Sequence, residues 1–331
     1  MSQELRKRVL SGMRPTGRLH LGHLFGALSN WRTLQEEYDC FFFIADWHAL
    51  TTDYADPSPI RAFTTEVVLD WLAAGLDPAK AVFFVQSRLP EHAELHLLFS
   101  MFTPLAWLER VPTYKEQREQ ITDKDLSTYG FLGYPLLQAA DILIYKANYV
   151  PVGVDQAPHV ELTREVARRF NFLYAPVLVE PEVLLTEFPK IPGTDGRKMS
   201  KSYGNAIYLA DTPEEITAKI KPMVTDPARK RRSDPGNPEV CPVYDLHRVF
   251  TPQAERDGYV VPGCTTAGIG CLDCKQLLLK HALPVLAPIS ERRAALAERP
   301  EAVREILDAG TARARIVARE TLGEVKAAMQ L

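Results

Sequence analysis

The stretch Val9-Leu10-Ser11-Gly12-Met13-Arg14-Pro15-Thr16-Gly17-Arg18-Leu19-His20-Leu21-Gly22-His23 decides the fold. Its apolar start reads as a strand that ends near Ser11. Pro15 and Gly17 make a turn, and helical spacing begins at about His20. The same alternation continues downstream. Apolar runs at Cys40–Ala45, Ala81–Val85 and Val150–Val154 read as strands buried on both faces. Between them, His20–Tyr38, Pro59–Gly75, His92–Met101 and Gln156–Phe170 have helical length and spacing, with Pro57 and Pro59 fitting a helix start and Gly75 a helix stop. Strands alternating with helices predict an α/β fold: a Rossmann-like, doubly wound parallel sheet that binds ligands at the carboxyl ends of its strands.

From about Pro189 the texture changes. Pro189, Pro192, Gly193, Gly196 and Gly204 bracket a lysine-rich polar loop. Beyond it, Pro213–Lys221, Lys275–Ala287, Ile289–Ala297 and Ala302–Met329 look helical, and Ser233–Pro238 is a turn-rich connector. The expected division is a Rossmann-like domain over 1–205 and a smaller, mainly helical domain over 206–331, its last helix packing back on the first.

The chain has 331 residues, 46% hydrophobic and 24% charged, which excludes wholesale disorder. Its net charge of −3 excludes a uniformly basic coat but not a local patch. No apolar run reaches the roughly 18–20 residues of a membrane span. The start, Met1-Ser2-Gln3-Glu4-Leu5-Arg6-Lys7-Arg8, has no secretory-type apolar stretch. The expectation is a cytosolic protein with no membrane partner, whose five cysteines are thiols or metal ligands rather than disulfides.

Two motifs carry chemistry. His20 and His23 share one face of a helix's first turn, where free N–H groups and the dipole favour an anion, and Gly22 and Gly26 leave a bare strip for a flat base. Taken alone, this is equally a helix start with two surface histidines. Lys198-Met199-Ser200-Lys201-Ser202 suits a polyphosphate, although most lysine-rich pentapeptides are simply solvated loops.

H-L-G-H followed 178 residues later by K-M-S-K-S resembles the class I aminoacyl-tRNA synthetases. Tyr134-Pro135-Leu136-Leu137-Gln138-Ala139-Ala140-Asp141 and Pro151-Val152-Gly153-Val154-Asp155-Gln156 look like the amino-acid pocket helix and ribose loop of the tryptophan and tyrosine enzymes. Asp46-Trp47-His48-Ala49 and Glu161-Leu162-Thr163-Arg164 look like the bacterial tryptophan branch. Two positions depart from the common pattern: Gln138 stands where tryptophan enzymes often have Met, and Arg14 where Gln is common. Leu10 occupies the place of a tyrosine found in tyrosine enzymes, which favours tryptophan over tyrosine.

The resemblance implies a ligase that activates L-tryptophan with ATP and Mg²⁺, releases pyrophosphate, and transfers tryptophan to the 3′ end of tRNA(Trp). The catalytic residues would be His20, His23, Lys198 and Lys201. ATP would also meet Arg14, Pro15, Thr16, Gly22, Gly153, Val154, Ile191, Met199, Ser200 and Ser202, with Asp155 on the ribose or acting as a helix N-cap. Tyr134, Gln138 and Asp141 share one helical face. Asp141 would accept from the indole N–H, unless it is a structural carboxylate satisfied by the protein. Tyr134, Gln138 and Gln156 would hold the amino group, with His48 and Ser11 beside the ring. The resemblance also implies a homodimer.

Cys241, Cys264, Cys271 and Cys274 follow C-x22-C-x6-C-x2-C. From spacing, an iron–sulfur cluster, zinc and no metal all stay open. A subset of bacterial tryptophanyl enzymes with the same spacing implies a four-iron four-sulfur cluster, and Cys40 reads as core. Lys219, Lys221, Arg229, Lys230, Arg231 and Arg232 face only Asp226 in fourteen positions, a tract suited to tRNA phosphates. Readings from other classes are a nucleotidyltransferase making another adenylate, or a non-catalytic synthetase-like RNA-binding module.

Overall fold

The computed structural model describes residues 6–112, 114–116, 124–185 and 191–331. The opening residues 1–5 and Pro189 lie outside them. The sheet has five strands, all parallel: β1 (Arg8–Met13), β2 (Asp39–Ile44), β3 (Ala81–Val85), β4 (Tyr149–Val152) and β5 (Glu182–Leu185), in the order β3-β2-β1-β4-β5. This is the doubly wound Rossmann-like arrangement, with the order reversing between β1 and β4.

The apolar runs are continuous because both faces of each strand are covered. Val9, Phe42 and Phe83 face one hydrophobic layer with Trp71, Ile216, Leu278 and Leu286. Leu10, Phe41, Phe43 and Phe84 face the other with Ala140, Val160, Phe170 and Leu322. Alternate residues of one strand thus serve opposite layers.

Several expectations need correcting. The first strand runs on to Met13 rather than ending near Ser11, because Gly12 and Met13 stay paired with Phe43 and Ile44. Lys275–Ala287 and Ile289–Ala297 are one helix, Cys271–Ala297, with Pro284 and Pro288 inside it. Asp155 is not the N-cap of the following helix. Gln156 holds that position without a side-chain bond, and Asp155 accepts from Gln156 Nε2 at 3.1 Å. The short strand β5 and the helices Asp46–Asp53 and Pro242–Phe250 are additional elements. Among the described residues, no helix is long and apolar enough to cross a membrane.

The final helix, Pro300–Ala328, lies against the edge strand β3, contributing Ala314, Ala318, Leu322 and Val325 to the second layer. The approach is closest at Gly310, where a Cβ would fall 1.8 Å from the Phe83 carbonyl oxygen. Gly310→Ala should therefore destabilise the protein by about 1–3 kcal/mol in denaturant unfolding. Helix propensity alone would give the opposite sign, a gain of about 1 kcal/mol.

Candidate active site

A cleft of about 480 Å³ opens at the carboxyl ends of β1 and β4, where the strand order reverses. Ser11, Arg14, Thr16 and His23 line it from the β1 side, and Gly153 and Gln156 from the β4 side. His48, Tyr134, Gln138 and Asp141 close it. The other expected residues sit elsewhere. Pro15, His20, Gly22, Val154, Asp155, Lys198, Ser200, Lys201 and Ser202 are not on the cleft wall, and Ile191 and Met199 are buried in the first hydrophobic layer.

Asp141 has no exposed surface, yet it reaches the cleft floor. Its Oδ1 accepts from Gln86 Nε2 at 2.8 Å and pairs with His92 Nδ1 at 2.6 Å. Its Oδ2 accepts from Gln86 at 2.9 Å and pairs with His48 Nε2 at 2.7 Å. Burial alone would raise this carboxyl, but the hydrogen bonds from His48 and His92 outweigh it and hold the pKa below the usual value. Gln86 and His92 were not legible in the sequence; a glutamine after an apolar strand and a histidine in a helix carry no pattern of their own.

Beside the cleft, whose wall takes in His23, His20 is the helix N-cap. Its Nδ1 accepts from Gly22 N at 3.1 Å, and His23 Nδ1 accepts from His20 N at 3.2 Å. Because each Nδ1 is an acceptor, a neutral ring must carry its proton on Nε2, which is then a donor. Burial, reinforced by Lys201 and Lys198, pushes His20 down to about 4, and burial with His20 and Lys201 pushes His23 down to about 3.

The segment that follows the K-M-S-K-S loop is tied to this turn by backbone bonds. Leu21 N donates to Ile207 O and Leu209 N to Leu19 O, both at 3.0 Å. Asn205 braces the loop, accepting from Ser200 N at 2.8 Å and donating to Asp195 and to Lys198 O. Gly193 is obligatory beneath it, since a Cβ there would meet the Asn205 amide at 2.1 Å. The Lys201 ammonium lies over Gly17, 3.3 Å from where a Cβ would stand, and burial lowers it to about 8. Asp70 anchors the turn by accepting from Leu19 N at 2.8 Å and from Arg293 Nε at 2.6 Å. Arg14 is held by Thr52 and lies 3.6 Å from Asp53.

A profile of the family described as "tRNA synthetases class I (W and Y)" matches residues 2–283. The chain belongs to this family. It is 59% identical over 325 residues to tryptophan–tRNA ligase of Thermotoga maritima, covering 98% of this chain and 99% of that protein. It is 48% identical over 395 residues to the tryptophan–tRNA ligase of Ralstonia nicotianae, covering 98% of each. Tryptophanyl-tRNA synthetase from Campylobacter jejuni, complexed with ADP and tryptophan, superposes with a TM-score of 0.88 at 33% identity, over 98% of this chain and all of that one.

In this synthetase the five cysteines are free thiols. Cys40 is fully buried in β2, and burial lifts it to about 12. Cys241, Cys264, Cys271 and Cys274 lie near one another. Burial, then the other three thiols, lift Cys274 to about 12. Arg229 Nη1 is 4.0 Å from Cys264 Sγ, and His247 Nε2 is 3.2 Å from Cys274 Sγ. A Cβ on Gly236 would meet Cys264 Sγ at 2.7 Å. Among the described residues, no three potential ligands form a metal-holding group.

The histidine turn makes stability depend on pH. Unfolded, each ring binds a proton near 6.5; folded, His20 and His23 bind it only near 4 and 3. Between these values the unfolded chain holds more protons, so stability rises with pH and is lost as pH falls from about 6.5 toward 4. Urea unfolding at pH 7.5, 6 and 5 should show this slope, and His23→Asn should flatten it.

Proposed function

We infer that this chain is a tryptophan–tRNA ligase. The observation that carries the reading is the pairing, in one cleft, of the buried carboxylate Asp141 with His23 from the helix turn that His20 caps beside it. An indole N–H needs an acceptor in a dry site, and the phosphates of ATP need donors. The tryptophan carboxylate oxygen attacks the α-phosphorus as the bond to the bridging oxygen breaks, and pyrophosphate leaves with the electron pair. Such a displacement depends on positioning and charge stabilisation. The Nε2–H groups of His20 and His23 meet the phosphates, Lys198 and Lys201 the leaving pyrophosphate, and Mg²⁺ accompanies the nucleotide. Tyr134, Gln138 and Gln156 hold the amino group. The adenylate then passes tryptophan to the tRNA 3′ end.

Residues 1–205 perform this chemistry and 206–331 meet the tRNA. Lys221, Lys230, Arg231 and Arg232 are exposed for phosphate contact, whereas Lys219 pairs with Asp211 and Arg229 turns inward to Ile269 O. Leu97, Met101, Leu105 and Phe172 are exposed large apolar side chains of the kind a homodimer face would cover. The four thiols beside Arg229 suit a four-iron four-sulfur cluster, held by Cys241, Cys264, Cys271 and Cys274. Such a group would supply an anionic centre joining Cys241, the N-cap of the Pro242–Phe250 helix, to Cys271 and Cys274 in the Cys271–Ala297 helix.

Three measurements test this reading. Pyrophosphate exchange should proceed with tryptophan and not with tyrosine, followed by charging of the matching tRNA. Exchange with tyrosine alone, or with neither, contradicts it. The KM for ATP should rise above pH 8 as Lys201 loses its proton, by up to about tenfold per unit; Lys201→Arg should move that limb to higher pH. Anaerobically purified protein should contain iron and labile sulfide, with Cys274→Ser losing both, and zinc without sulfide would overturn the cluster.

A further inference from the structure

Behind Asp141, away from the cleft, lies a row of buried groups that the reaction above does not touch. His92 has no exposed surface, and its Nε2 lies 2.7 Å from the Tyr145 hydroxyl. Tyr145 is also fully buried. Burial, then Asp141 and Glu91, raise its phenol well above the ordinary value, so it keeps its proton and donates. A neutral His92 that accepts at Nε2 must carry its own proton on Nδ1, which points at Asp141 Oδ1, 2.6 Å away. Gln86 is fixed by the same logic. Its Oε1 accepts from Trp47 N at 3.2 Å, which turns its Nε2 toward the carboxylate. Asp141 and His48 line the cleft; Gln86, His92 and Tyr145 do not. Oδ1 is therefore filled from behind, and Oδ2 is the oxygen on the cleft side.

We propose that His92 and Tyr145 are positioning residues for substrate selection: the phenol fixes the imidazole tautomer, and the imidazole N–H occupies Oδ1 so that Oδ2 accepts the ring N–H of a fused-ring amino acid. The proposal rests on the reading of Asp141 as the indole acceptor. Without His92, Oδ1 keeps only the amide N–H that Gln86 shares between both oxygens, and a carboxylate so underpaired in a buried place either takes up a proton or turns. A protonated Asp141 presents an O–H, which no longer matches an N–H donor.

The test compares tryptophan with 3-benzothienylalanine, in which sulfur replaces the ring N–H, by kcat/KM in pyrophosphate exchange. The wild type should prefer tryptophan strongly. His92→Leu should lower the tryptophan value about tenfold to a hundredfold through KM, leaving the KM for ATP unchanged and the benzothienyl value within about threefold. Tyr145→Phe, which keeps the ring volume, should act in the same direction more weakly. His92→Asn, whose amide N–H replaces Nδ1–H, should restore most of the preference. Equal loss for both substrates, or an unchanged ratio in His92→Leu and Tyr145→Phe, overturns the proposal. Asp141→Ala separates the two levels. If it also leaves the ratio unchanged, the Asp141 reading itself fails; if it alone collapses the ratio, only the positioning role fails.

Discussion

A carboxylate with no exposed surface and no Lys or Arg paired to it, among the described residues, is the constraint on which the cleft depends. Burying Asp141 is costly unless each lone pair finds a donor. Here the donors come from three separate pieces of chain: His48 in the Asp46–Asp53 helix, Gln86 after β3, and His92 in the Glu91–Ser100 helix. Satisfying one side chain on the Tyr129–Ile144 helix therefore fixes how three neighbours pack around it. The Asp141 end of the cleft is rigid for that reason.

The His20–His23 turn is organised differently. Burial and the neighbouring lysines keep its histidines neutral, and one nitrogen of each ring accepts a backbone N–H, which leaves the other as the donor. Positive charge enters through Lys201, whose partial burial lowers its cost of losing a proton. The turn is tied across the molecule by Asp70, which joins Leu19 N to Arg293 on the Cys271–Ala297 helix. Breaking a buried pair of this kind leaves an uncompensated charge, a loss of about 3–5 kcal/mol. The second half of the chain thus helps to hold the first half's signature turn.

Much of this was legible in the sequence, for physical reasons that can be named. Strands covered on both faces are continuously apolar, so β1 to β4 stand out; β5 is four residues long and only half-buried, and it does not. The first motif, through Arg14, Thr16 and His23, and Tyr134, Gln138 and Asp141 on one helical face marked the cleft, whereas the lysine loop lies off its wall. What the sequence withheld were partners that depend on distance across the fold. Asp70 and Arg293 are 223 positions apart, and nothing local to either announces the bond. Asn205 under the lysine loop, Gln86 and His92 are equally silent. The expected break fell at Pro288, but core residues on either side of it, Leu278 and Ile289, keep one helix in register.

The central claim is that the cleft-side oxygen of Asp141 accepts the substrate's ring N–H. A crystal structure with tryptophan bound tests this most directly. The account predicts an indole nitrogen about 2.7–3.2 Å from Asp141 Oδ2, with His48 shifted from or sharing that oxygen and His92 still on Oδ1. An indole nitrogen bonded to another acceptor, with the Asp141 contacts unchanged, would contradict it.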